Sequence, residues 1–123
     1  MIPQPARAQS VDEVYAVLRR AAARRRPVLV TYDGLSRSLC PRVLGRKSGR
    51  LHAFVYQFEG ISQSGLAMTP EGPGGWRCLT VEKLSHIELQ AGAWHTEPRP
   101  ARQTCIDEFD FDVDAQPEED PPQ

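Results

Sequence analysis

The chain has 123 residues, a length that suits a single domain. Its 11 prolines and 9 glycines predict a loop-rich protein, and no stretch approaches the roughly 20 apolar residues of a membrane helix, which argues against an integral membrane protein. Because residues 1–10 contain no hydrophobic signal segment, we expect a cytoplasmic location.

The charge is divided unevenly along the chain. Residues 1–96 carry 13 Lys and Arg against 7 Asp and Glu, whereas residues 97–123 carry 2 against 9. The net charge of −1 therefore combines a basic body of +6 with an acidic end of −7. Such an asymmetry indicates an anionic partner for the body.

The three cysteines, Cys40, Cys78 and Cys105, are odd in number and widely spaced. This pattern indicates neither a disulfide framework nor a zinc ligand set. The three histidines share no metal-ligand spacing either. We therefore expect no metal and no cofactor.

One helix is predicted near the N-terminus, after a flexible leader at residues 1–9. Ser10 and Glu13 have the spacing of a capping box, in which each side chain accepts a hydrogen bond from the backbone of the other. Apolar residues such as Val14 and Leu18 then follow at helical spacing. Pro27 marks the end of the helix.

Strands are predicted from residue 28 to residue 90. The first is the β-branched run 28–32, and Asp33 with Gly34 forms a hairpin turn because glycine accepts a positive φ. Residues 59–75, rich in glycine, are predicted to be a long loop. The other predicted strands cover residues 35–44, 51–58, 76–81 and 84–90. No crossover helix separates them, which excludes a parallel sheet and favours a small barrel, since closure removes exposed edges.

The predicted fold class is thus mainly β, within α+β: an N-terminal helix and a five-stranded antiparallel barrel at residues 10–96. Residues 97–123 are predicted to be an acidic, proline-rich, disordered tail. In this tail Phe109, Phe111 and Val113 alternate with aspartates, which is typical of a strand and also of a disordered interaction motif. We expect these three residues to dock on a protein partner.

This order of elements, over residues 11–90, resembles the WYL family. The resemblance rests on the strand 28–32 after the helix, on Arg37 with the segment 41–44, and on the segment 77–84; residues 51–53 stand where the family's Trp-Tyr-Leu triplet lies. It implies a bacterial, non-enzymatic module of Sm-like or SH3-type barrel fold that senses a ligand or nucleic acid and regulates transcription. Three positions are predicted to be structural: Tyr32, Pro41 and Leu84, the last nearly fully buried.

Basic and aromatic side chains fall on strands that adjoin in such a barrel. Arginine binds phosphate and carboxylate with two parallel hydrogen bonds, and aromatic rings stack on bases. We therefore predict one binding surface for nucleic acid or a nucleotide, formed by Tyr32, Arg37, Arg42, His52, Arg77 and Lys83. The alternative is that the arginines only solvate the surface, in which case the chain is a protein adaptor that docks through its tail. No arrangement of residues indicates a catalytic triad, so we expect no enzymatic activity.

Overall fold

The computed structural model describes residues 9–61, 67–68, 75–100 and 103–115. Within these ranges the chain forms one α-helix, seven strands and two short 3₁₀ helices. The predicted leader, apart from Gln9, and most of the predicted loop at 59–75 lie outside the described residues.

The helix α1 spans Val11–Arg24 and is capped as predicted. The Ser10 hydroxyl accepts the Glu13 backbone N–H at 3.1 Å, and the Glu13 carboxylate accepts the Ser10 N–H at 3.1 Å. The apolar side of α1 is buried through Val14, Leu18 and the alanines that follow. No helix in the described ranges is long and apolar enough to cross a membrane.

The strands form one antiparallel sheet in the order β4-β3-β2-β1-β6, with β5 also paired to β3 and β7 also paired to β2. The prediction of a mainly β chain with one N-terminal helix is therefore confirmed. The five predicted strands all form, and the sheet also includes β4 and β7, which lie in the predicted loop and the predicted tail. The bounds are β1 Val28–Tyr32, β2 Leu35–Lys47, β3 Arg50–Ile61, β4 Ala67–Met68, β5 Gly75–Thr80, β6 Leu84–Leu89 and β7 Glu108–Asp112.

Two tight turns set the register of the first three strands. Asp33 and Gly34 have φ values of 51° and 77°, and they join β1 to β2 with Tyr32 paired to Leu35. Ser48 and Gly49, at 52° and 81°, join β2 to β3 in the same way. Positive φ at both central residues gives the twist that antiparallel strands require, so the predicted turn at Asp33 and Gly34 is confirmed.

Strand β2 is buried on both of its faces. Every residue of the range 37–45 is buried. One face, here called the inner face, packs against α1. The opposite face of the sheet, here called the outer face, carries Cys40 of β2 and Phe54, Tyr56 and Phe58 of β3. It packs against the chain that follows β6. Since side chains alternate along a strand, this double burial requires cover on both sides of the sheet.

That outer cover comes from the first part of residues 91–115, here called the C-terminal segment, of which 101 and 102 are outside the described residues. The last part of the segment, with Phe111 and Val113, packs on the inner cluster. The predicted disorder of the tail is therefore wrong for residues 103–115. Strand β7 pairs with β2 over residues 43–46. Ile106 and Val113 are each 3 % exposed and anchor its two ends in apolar clusters. Gly45 permits the close approach, because a Cβ there would collide with the Glu108 carbonyl oxygen.

A disulfide joins Cys78 of β5 to Cys105 of the C-terminal segment. The prediction that the cysteines form no disulfide is wrong. An odd count is compatible with one pair plus the buried free thiol of Cys40. The two half-cystines lie 27 residues apart in the sequence, and only the folded chain brings their Cα atoms to 5.5 Å. A bridge closing a loop of this size typically stabilises a fold by about 2–4 kcal/mol.

The three residues predicted to be structural are all buried, and Leu84 is only 5 % exposed. Leu84 packs in the same cluster as Leu18 of α1. We expect Leu84→Ala to lower the free energy of unfolding by about 2–5 kcal/mol, because it removes buried methyl groups and leaves a cavity. Urea unfolding followed by circular dichroism measures the loss. Val11→Ala, at an exposed helix position, is the control and should change stability by less than about 0.5 kcal/mol. Equal stability of the two variants would contradict this packing.

Candidate functional site

Four side chains meet on the inner face, beyond the apolar core: those of Tyr32, Arg37, Gln57 and Arg77. Arg37 pairs with Val30 across β1–β2, and Gln57 pairs with both Leu39 and Gly75. Each of the four lies two residues along its strand from a core residue, which places it on the same side of the sheet. We call this group the arginine cluster: Tyr32, Arg37, Gln57 and Arg77.

Arg37 is a buried cation with unused hydrogen-bond donors. Its side chain is 2 % exposed, and its guanidinium carbon lies 4.8 Å from the centre of the Tyr32 ring. Its Nη1 donates to the Gln57 Oε1 at 3.4 Å. Its Nε and Nη2 have no hydrogen-bond partner, and neither has the buried Nε2 of Gln57. Buried polar groups of this kind are costly unless something accepts their hydrogen bonds.

Arg77 approaches the same place from the other side of β3. Its guanidinium lies over Gly75, where an added Cβ would be only 2.7 Å from Nη1. This Nη1 donates to the Trp76 carbonyl at 3.0 Å. Because Gly75 pairs with Gln57 and Arg37 bonds to Gln57, the glutamine separates the two guanidinium groups. The half-buried Arg77 gives the cluster a side that reaches solvent.

The electrostatics of the cluster favour a bound anion. Burial lowers the pKa of Arg37, and the positive charge of Arg77 lowers it further, while Tyr32 and Asp33 act in the opposite direction. Arginine nevertheless stays charged near neutral pH. A carboxylate or phosphate would accept the two unused donors and offset the repulsion between the arginines.

Arg42, predicted to share this surface, lies on the outer face instead. The register shifts between Pro41 and Val43, so that Arg42 and Val43 both reach that side. The Arg42 Nη2 donates to both carboxylate oxygens of Asp114, at 3.1 and 3.3 Å. Its guanidinium also lies 5.1 Å from the centre of the Trp76 ring. The prediction is wrong for Arg42 because the chain supplies its own carboxylate there.

His52 also lies away from the arginine cluster, whereas Lys83 directly precedes Leu84, the strand partner of Tyr32. His52 stands five positions before Gln57 on β3, about 17 Å along a strand. Its Nδ1 is 2.9 Å from the Arg50 carbonyl oxygen. Lys83 is exposed on the 3₁₀ helix 81–83. Of the single surface predicted from the sequence, the structure brings together Tyr32, Arg37 and Arg77, while Arg42 and His52 lie elsewhere and the role of Lys83 stays a prediction.

The residues predicted to dock on a partner are mostly used within the chain. Val113 is 3 % exposed, and the half-buried Phe111 packs against the inner cluster with Arg19 over its ring at 5.4 Å. The docking prediction is wrong for Val113, which is buried in its own domain just after β7, and Phe111 is half-buried there. Phe109 alone is open, at 55 % exposure. The strand alternative is confirmed, and its aspartates face arginines, as Asp112 does with Arg99 at 2.9 Å.

Gln57 and Gly75 are parts of the site that sequence reasoning missed. Gln57 is an amide in an otherwise apolar and aromatic stretch of β3, and it is 0 % exposed. A lone polar residue within a strand of that composition is a usable signal, because its burial requires a partner. Gly75 is distinguished only by its pairing with Gln57, which the sequence does not reveal.

Comparison of the chain with known protein families, with curated proteins and with solved structures gave no match. The function is therefore inferred from the geometry of the arginine cluster.

We expect Arg37→Met to leave the protein as stable as the wild type or more stable, by up to roughly 1–4 kcal/mol. Methionine fills a similar volume, and the substitution removes a buried charge with unused donors. Urea unfolding tests this in the absence of any ligand. The matched control is Arg42→Met, which removes a buried guanidinium that is ion-paired within the chain and leaves the Asp114 carboxylate with Arg99 alone, so it should be destabilising. A large loss of stability for Arg37→Met would show that Arg37 is structural.

Cys40 is a fully buried thiol on the outer face. Burial raises its pKa to about 11, although the His95 backbone N–H and Arg42 act in the opposite direction. Thiolate, the reactive form, is therefore scarce at pH 8. We expect native oxidised protein to show no thiol reactive toward an aromatic disulfide reagent at pH 8. Unfolding without reductant should expose one thiol, and unfolding with reductant should expose three. A reactive thiol in the native protein would contradict this burial.

Proposed function

We propose that this chain is a non-enzymatic binding module that holds the phosphate of a nucleotide or nucleic acid at the arginine cluster. The observation that carries the proposal is the Arg37 guanidinium, which is 2 % exposed and has two N–H groups without partners. A folded chain gains stability by ion-pairing or replacing such a group. A buried cation with donors left over is therefore the expected signature of a residue that serves a ligand rather than stability.

The chemistry of the cluster favours phosphate. Arg37 presents Nε and Nη2, which together match two oxygens of one phosphate, and Arg77 supplies a second cation. The basic body of +6 raises the local concentration of anionic polymers through long-range attraction. Arg37 covers the Tyr32 ring at 4.8 Å, so this ring orients the guanidinium rather than stacking on a base.

The biological role follows from the resemblance to the WYL family. Arg37 and Arg77 both belong to the segments that carry it, and the helix-first order with antiparallel strands is compatible with it. The proposed architecture is a closed Sm-like or SH3-type barrel, and the proposed setting is the bacterial cytoplasm. There the module senses its ligand and regulates transcription or a partner protein.

Fluorescence anisotropy with a labelled single-stranded oligonucleotide and with a labelled nucleotide tests the proposal. We expect Arg77→Gln to weaken binding at least 10-fold, because it removes one of two cations at the phosphate, and to flatten the dependence of affinity on salt. The control is Arg50→Gln, an exposed arginine paired with Glu82 at 3.2 Å. Equal losses of affinity for the two variants would show that binding depends on the net charge of the protein and not on the arginine cluster. No binding by the wild type would refute the proposal.

A second function, that of a protein adaptor, is favoured by Phe109. This exposed ring borders a cleft of about 350 Å³ whose other walls include Tyr15, Leu51 and Asp110. An apolar side chain of a partner fits such a place. Phe109→Ser separates the two functions, since it alters the adaptor surface and leaves nucleotide binding at the arginine cluster unchanged.

A further inference from the structure

The outer face of the sheet is an aromatic surface covered by the C-terminal segment. Phe54, Tyr56 and Phe58 alternate along β3 and are each 7–8 % exposed. The His95 ring stacks on Phe58, with centroids 4.1 Å apart and planes inclined by 19°. Trp94 packs against the same cluster and also reaches the inner one. Together with Trp76 of β5, which stacks on Phe54 at 5.0 Å, the segment therefore hides aromatic rings that would otherwise face solvent.

Few backbone hydrogen bonds hold this cover. Residues 91–100 and 103–104 adopt no helix or strand. The Gln90 N–H bonds to the Pro27 carbonyl at 2.8 Å at one end, and the Asp107 N–H bonds to the Arg46 carbonyl at 3.0 Å at the other. Between these anchors the disulfide to β5 is the covalent attachment of the segment to the sheet. A segment fastened mainly by side chains opens locally at a lower cost than a paired strand.

We propose that Cys78–Cys105 is a redox site, acted on by a dithiol oxidoreductase, that releases the cover from the aromatic outer face. The two sulfurs differ in access, because Cys78 is exposed whereas Cys105 is 5 % exposed. An incoming thiolate therefore reaches the Cys78 Sγ first. This inference does not depend on the arginine cluster, which lies on the opposite face.

The chemistry is a balanced thiol–disulfide exchange. The first thiolate of the oxidoreductase bonds to the Cys78 Sγ, the Cys78–Cys105 bond breaks, and the Cys105 sulfur leaves and takes up a proton. The second thiolate of the oxidoreductase then attacks its own sulfur in the mixed disulfide, which frees the Cys78 sulfur to take up a second proton. Two electrons and two protons pass from the dithiol to this chain, and the oxidoreductase becomes oxidised.

The proposed cytoplasmic setting supports a switch rather than a permanent staple. Disulfides in that compartment are typically transient and serve catalysis or redox sensing. The contacts that hold the rest of the fold do not involve the bridge, so they remain after reduction. Strand β7 keeps its ladder with β2, and Val113 keeps its place in the inner cluster. After reduction the part of the segment around Trp94 and His95 is held by non-covalent contacts alone, such as those of Arg42 with the Glu97 carbonyl and of Arg99 with Asp112. It therefore opens more readily while the domain stays folded.

Limited chymotrypsin digestion of the full chain tests the proposal, before and after treatment with a thioredoxin-type dithiol reductase without denaturant. Mass spectrometry should show the gain of two hydrogens. Cleavage after Trp94 should then become at least 10-fold faster, while the bond after the buried Tyr32 stays protected because the fold persists. Cys40→Ala is the matched control and should respond as the wild type does, since Cys40 is outside the bridge.

Cys78→Ser should be cut rapidly after Trp94 without any reductase. If this variant does not fold, wild-type protein reduced and alkylated at Cys78 replaces it. The proposal is overturned if the native bridge resists the reductase, or if the reduced protein keeps the protection of the Trp94 bond. It is likewise overturned if the bonds after Trp94 and Tyr32 become accessible together, since the bridge would then be a staple for the whole domain.

Discussion

The whole structure depends on the burial of β2 from both sides. Its neighbours in the sheet are β1 and β3 along its length and β7 near its end. Helix α1 covers its inner face, and the C-terminal segment covers its outer face. A strand with apolar contacts on both faces cannot slip by one residue without exchanging its two environments. The register of β2 therefore fixes where every other side chain of the sheet points.

Strand β2 contains two buried arginines that have different partners. Arg42 receives the Asp114 carboxylate and packs beside Trp76 and Trp94, so its charge is compensated inside the chain. Arg37 receives one amide oxygen and one aromatic ring. The two residues are chemically identical and lie five positions apart. Only their partners distinguish a structural cation from a candidate ligand-binding one.

Local signals made the beginning of the chain predictable. The Ser10–Glu13 capping box and the Asp33–Gly34 turn act over a few residues, so the sequence alone defines α1 and the first hairpin. The C-terminal end was not predictable in the same way. The alternation around Phe111 allowed a strand or a disordered motif, and the choice depends on Gly45, which lies far away in the sequence. Likewise, the sequence predicted Arg37, Arg42 and Arg77 as candidates but did not show that Arg42 lies on the opposite face of the sheet, since that depends on contacts distant in the sequence.

The late position of β7 has a consequence for the order in which the chain folds. The end of β2 next to Gly45 receives its partner from residues 108–112, close to the C-terminus. During synthesis the helix and the β1–β3 hairpins leave the ribosome first, since proteins emerge from the N-terminus. Until β7 follows, that stretch of β2 presents unpaired backbone groups beside aromatic side chains, a combination that attracts other strands. A nascent chain of this protein is thus prone to misassociation until residues 108–112 have emerged and paired with β2.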